Sequence, residues 1–176
     1  YGSNGRNEVI ATSAVDFNDT KWHHVAITFD GRESLSKRFN MYIDGAPDQN
    51  TFPTVNIDTN DDPVRIGANV DIPTAFFNGA VSDLRIWKVI RKSTDIANFR
   101  NCQLASGTPC LVAYYKLNEG LPNGNNTSIN KVKDDAGSND GTIAGISLTG
   151  SVSNFIDVDP ANERPPNTCS TILPAQ

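Results

Sequence analysis

Carboxylates, imidazoles and thiols are the groups in this sequence with chemistry to offer, and their spacing decides which kind. Glycoside hydrolysis needs two carboxyl groups facing each other across a sugar. Glu8, Glu33, Glu119 and Glu163 are far apart, each near a turn or a chain end. The two histidines, His23 and His24, are neighbours with no plausible nucleophile beside them. They read as strand side chains next to Trp22, and the expectation is a non-catalytic domain. Zinc is equally poorly served, because no CxxC occurs.

Oxygen ligands are more abundant. Calcium takes six to eight oxygens from carboxylates, amides and main-chain carbonyls. Asn118 and Glu119, at the end of LVAYYKLNEG, and Asp134 and Asp135, ahead of AGSNDG, are candidate donors. The competing reading is a solvated acidic loop. The stretch IDTNDD starts like an EF-hand but lacks the glycine and the distal glutamate. For sugars, the loop ANVDIPTAFFNG offers Asn69 and Asp71 as hydrogen-bonding groups, with Phe76 and Phe77 as apolar faces. Against this, Phe76 and Phe77 open a strand, and at least one of them is expected in the core. Trp22 and Trp87 are likewise core or sheet-face residues.

Of the three cysteines, Cys102 and Cys110 flank the turn-rich QLASGTP. In an exported protein a Cys102–Cys110 bridge is expected, worth roughly 2.5 kcal/mol from loop closure. The alternative is two reduced, small apolar side chains. Cys169 lies in a proline-rich tail with no evident partner. Asn18, Asn125 and Asn126 each head a glycosylation sequon.

The elements that must position these groups alternate with period two and are broken often by Gly, Asn, Asp and Pro, the pattern of an all-β domain. Strands are predicted at Glu8 to Ala14, Trp22 to Phe29, Phe39 to Ile43, Val64 to Ile66, Ala80 to Trp87 and Leu111 to Leu117. Asp44-Gly45 makes a turn signal. Ile143, Ile146 and Leu148 suggest the last strands, and Phe155 a final anchor. Val25, Ile27, Met41, Ile43, Leu84 and Ile86 are the predicted core. Ser93 reads as the N-cap of one short helix, with Asp95 in its first turn and Ile96 and Phe99 as docking residues. Residues 1–156 form the expected domain, and 157–176 a proline-rich linker or lead-in to another module.

The chain of 176 residues has a formal net charge of -5. That surface repels phosphate backbones and argues against nucleic acid as a partner. No run approaches the ~18 apolar residues of a membrane span. The first residue is Tyr1 rather than Met, which reads as a processed or excised piece.

Taken in order, KWHHVAITFDG, FNMYIDG, PVRIGAN and FFNGAVSDLRIWKVIRKSTDI resemble the laminin-G-like domains of the concanavalin-A-like superfamily. LVAYYKLNEG and KDDAGSNDGTIAG resemble the closing segment of variants in large secreted bacterial surface proteins. The resemblance implies a two-sheet antiparallel β-sandwich of jelly-roll type. It implies a secreted or cell-surface location and binding of carbohydrate or a surface protein, next to other domains or chains of a parent assembly. A structural spacer, or an accessory domain of a carbohydrate-active enzyme, is the alternative. Glucan-cleaving relatives carry closely spaced acids alternating along one strand, and no strand here does. The resemblance also places Asp83 where several relatives hold a structural calcium, which would make Asp83, Asn118, Asp134 and Asp135 the metal ligands. The bland reading of Asp83 is a turn cap or a partner for Arg85. Relatives usually have several strands before the equivalent of Glu8, so a completing segment, another chain or a shortened sandwich is expected.

Overall fold

A computed structural model describes residues 18–48, 61, 63–69, 76–105, 107–157 and 169. The strand expected at Glu8 to Ala14 and most of the 157–176 tail lie outside the described residues. Within them the chain is mostly strand and loop, with antiparallel sheets and one short helix. That content is consistent with a concanavalin-A-like sandwich.

The first sheet has the order β1-β2-β3, made by Val25–Phe29, Phe39–Ile43 and Ala46–Asp48. Its register sets Val25 opposite Ile43, Ile27 opposite Met41 and Phe29 opposite Phe39. Alternation along β2 buries Phe39, Met41 and Ile43 and turns Asn40 outward. Asp44 and Gly45 both adopt positive φ, 51° and 82°. That is the two-residue turn whose twist suits a tight hairpin, here between β2 and β3. Gly45 is needed twice over, since a Cβ there would sit 2.8 Å from the Ala97 backbone.

One expectation about this sheet fails. Val25 and Ile27 share a face with the buried Met41 and Ile43, yet they are 51% and 54% exposed. Among the described residues β1 is an edge strand, so its side chains are flanked by neighbours on one side only. The central strand takes the cover and the edge does not.

The second sheet pairs β4, Leu84–Trp87, with β5, Leu111–Tyr115. Leu84 faces Tyr115, Arg85 faces Tyr114 and Ile86 faces Ala113, before a bulge shifts Trp87 onto Leu111. Leu84 and Ile86 are half-buried. Between the two strands runs α1, Ser93–Phe99, which packs against β3 and buries Ile96. Its N-cap is Lys92, so Ser93 is the first helical residue rather than the cap. Asp95 does lie in the first turn, where it accepts from Arg91 at 3.0 Å. Arg91 in turn lies over the Trp87 ring, 4.7 Å from its centroid.

A small hairpin, β6 at Lys131–Val132 and β7 at Gly141–Thr142, follows. The closing strands expected around Ile146 and Leu148 do not form. Ile146 is exposed, and Leu148 is buried but has a φ of 58°, a left-handed backbone foreign to a strand. Val64 to Ile66 is not a strand either, and both residues are exposed. Buried Leu104, Tyr114 and Cys169 form one core cluster, with Trp87, Phe99, Cys102 and Leu111 packed against it. Among the described residues no helix is long and apolar enough to cross a membrane.

Candidate functional site

The loop that carries the predicted sugar contacts is pinned at its base. Ala68 and Phe76 form an antiparallel bridge, and the Phe77 N–H donates to the Gly67 carbonyl at 2.9 Å. Asn69 sits at this base. Asp71 lies outside the described residues. Phe76 and Phe77 are 70% and 60% exposed, so neither is the core residue the sequence suggested. Val64 and Ile66 are exposed on the same stretch. A Cβ on Gly79 would lie 2.8 Å from two atoms of the Phe77 ring. The ring thus rests on a glycine, against main chain, and keeps most of its surface open. An aromatic ring so supported is a platform for an apolar face.

The calcium that the resemblance implies can be judged by its donors. Asp83 stands just before β4 with a φ of 55°. One of its oxygens is ion-paired with Arg85, and the other accepts from the Tyr114 hydroxyl at 2.9 Å. Burial, with Asp83 adding to it, pushes the Tyr114 hydroxyl up to about 12. Asp134 is 2% exposed, and its carboxylate accepts the N–H groups of Tyr114, Ala136 and Asn139, together with the Asn139 amide. Burial alone would raise its pKa, but these donors hold it below the usual carboxylate value. Asp135 is clamped by Lys133 at 2.7 Å and Lys116 at 2.9 Å, which lower its pKa. Asn118 is exposed. The Tyr114 main chain meets Asp134 while its hydroxyl meets Asp83, so the two acids sit at opposite ends of one tyrosine. No three of the described His, Cys, Asp and Glu side chains are grouped to hold a metal. The four proposed ligands do not fit the ion.

His23 bridges two acids, Asp44 at 2.8 Å on Nδ1 and Asp19 at 3.0 Å on Nε2. Carboxylate oxygens only accept, so the doubly protonated ring suits this position, and its pKa is raised, by Asp44 first and Asp19 second. Asp44 also accepts the His24 N–H at 2.9 Å, which ties the start of β1 to the hairpin turn. His24 is held down by burial and by Arg85 and Arg100.

The disulfide differs from the sequence expectation. Cys102 bonds Cys169 across 67 residues, and Cys110 is the free thiol. The Cys169 N–H donates to the Gln103 carbonyl at 2.7 Å, which brings the tail alongside Cys102. Cys110 is held elsewhere, its carbonyl accepting the Lys88 N–H where β5 begins. Asn126, which heads one of the sequons, is a buried hub, bonded to both main-chain groups of Leu121 and to Asn154.

Antiparallel sheets with one short helix make the described residues an all-β arrangement, with exposed aromatic residues on a loop. A family profile described as the concanavalin A-like lectin/glucanases superfamily, of laminin-G type, matches residues 1–97, more than half of the chain. The chain belongs to that family. No match was found among curated proteins or solved structures.

Proposed function

We propose that this chain is a non-catalytic carbohydrate-binding module of an extracellular protein. In this reading its sheets close face to face as a jelly-roll sandwich, and it works beside other domains or chains of its parent. The exposed pair Phe76 and Phe77, with one ring bedded on Gly79, is the observation that carries the reading. A pyranose lays its C–H face on such a ring, while Asn69 and Asp71 from the same loop supply the hydrogen bonds. A lectin-like superfamily supports it. An oxidising compartment fits the disulfide.

The absence of catalysis is part of the proposal. A glycosidase needs one carboxyl group whose pKa is pushed up to hold a proton near neutrality. The described aspartates with a clear shift, Asp19, Asp30, Asp44, Asp134 and Asp135, are all pushed down. They are acceptors committed to N–H groups and cations.

A glycan array on the folded domain, followed by calorimetry with the best ligand, tests the proposal. Phe76→Ala with Phe77→Ala is expected to weaken binding by about tenfold or more. A folded domain that binds no glycan, or a double variant with undiminished affinity, overturns it.

A further inference from the structure

Arg85 is surrounded by oxygen. β4 sets it opposite Tyr114, and its guanidinium lies 5.7 Å from the centroid of that ring. Its Nε faces the Asp83 carboxylate. Its Nη1 donates to the Phe99 carbonyl at 2.8 Å and its Nη2 to the Cys102 carbonyl at 2.5 Å. Phe99 closes α1, so its carbonyl is among those the helix leaves without an internal partner, at the negative end of the helix dipole. The remaining oxygen of Asp83 is taken by the Tyr114 hydroxyl. The side chains of Arg85 and Asp83 are only 11% and 13% exposed.

One carboxylate and two main-chain carbonyls converging on a buried point are the ligands a hard divalent cation selects. Here they converge on a guanidinium, a planar cation with directed N–H donors. We propose that Arg85 takes the place of a structural metal ion at this point, so that β4, the end of α1 and the loop bearing Cys102 are joined without a divalent cation and Asp83 is closed to one. The guanidinium does with three directed N–H bonds what an ion does by coordination. It joins the strand, the end of α1 and the disulfide-bearing loop. The converse follows. Without the guanidinium, the carboxylate and both carbonyls face an anionic hole that calcium can enter.

The test compares the full chain with Arg85→Ala by thermal unfolding in EDTA and in calcium up to about 10 mM, where a native-state ligand raises the transition. Terbium luminescence sensitised by Tyr114 reports direct occupancy. The unaltered chain is expected to melt at one temperature throughout and to show no sensitised terbium. Arg85→Ala is expected to melt lower in EDTA, to recover saturably with calcium, and to light up terbium. Calcium stabilisation of the unaltered chain overturns the proposal, as does a folded Arg85→Ala that ignores both ions. If Arg85→Ala is unfolded with or without calcium, Arg85→Lys is read instead. A lysine keeps the charge, so calcium insensitivity supports the proposal, and a calcium-dependent rise in melting overturns it.

Discussion

Replacing Cys102 and Cys169 together by serine removes the bond that closes 67 residues of chain. The loop-entropy relation gives about 4.4 kcal/mol for a loop of that length. A Cys102–Cys110 bridge would close a far shorter loop, worth about 2.5 kcal/mol by the same relation. At the usual 2–4 °C per kcal/mol for a domain of this size, the double substitution should lower the melting temperature by roughly 9–18 °C. Both cysteines must be replaced, because Cys169→Ser alone frees Cys102 to pair with Cys110 and mask part of the loss. Cys110→Ser is the control. Cys110 is the free thiol, so losing its sulfur should change stability by no more than about 1 kcal/mol. Non-reducing peptide mapping identifies the bond, and urea unfolding measures the energy. A Cys102–Cys110 cross-linked peptide, or a double variant that melts within about 2 °C of the parent, would refute the reasoning.

Further outcomes follow from the same geometry. Asp134→Ala leaves several N–H donors around a buried carboxylate without an acceptor. It should cost about 3 kcal/mol or more in chemical denaturation, and a loss below about 1 kcal/mol would show that the hub is not needed. The contribution of Asp134 is present above the ordinary carboxylate value and fades as pH falls through its lowered one. His23 works in the opposite sense. With Asp19 and Asp44 ionised, its contribution is full below 6.5, the ordinary imidazole value, and is lost as pH rises through its raised value. The melting temperature of the parent should therefore fall, as pH rises above 6.5 and through that raised value, more than that of His23→Gln, and parallel curves would exclude the bridge. Gly79→Ala drives a methyl group into the Phe77 ring and should weaken glycan binding while the domain stays folded, as calorimetry and circular dichroism together would show.

Much of the first sheet could be read directly from sequence. Phe39, Met41 and Ile43 alternate cleanly, and Asp44-Gly45 admits few backbone choices, so strand and turn were both foreseeable. Which face meets a cover is a tertiary matter, and there Val25 and Ile27 misled, because alternation marks a face without saying how far the cover extends across it. Cysteine pairing failed for a similar reason. Sequence proximity favoured Cys110, whereas the Cys169 contact with Gln103 depends on how the tail returns. At the candidate site Asn69, Phe76 and Phe77 were legible as types, but the support from Gly79 was not, since nothing in a glycine announces which ring will lie on it. Asp83 showed its carboxylate and its near neighbour Arg85. The Phe99 and Cys102 carbonyls that complete the cluster are main-chain groups, and every residue has one.

The bond between Cys102 and Cys169 also fixes the route by which tension travels. A pull on the residues after Cys169 arrives covalently at Cys102, next to the end of α1, and bypasses the intervening polypeptide. β5 and the β6–β7 hairpin hang in that slack, shielded from traction for as long as the sulfurs stay joined. Reduction would pass the strain to β5 and the hairpin, whose hydrogen bonds can be peeled apart one at a time.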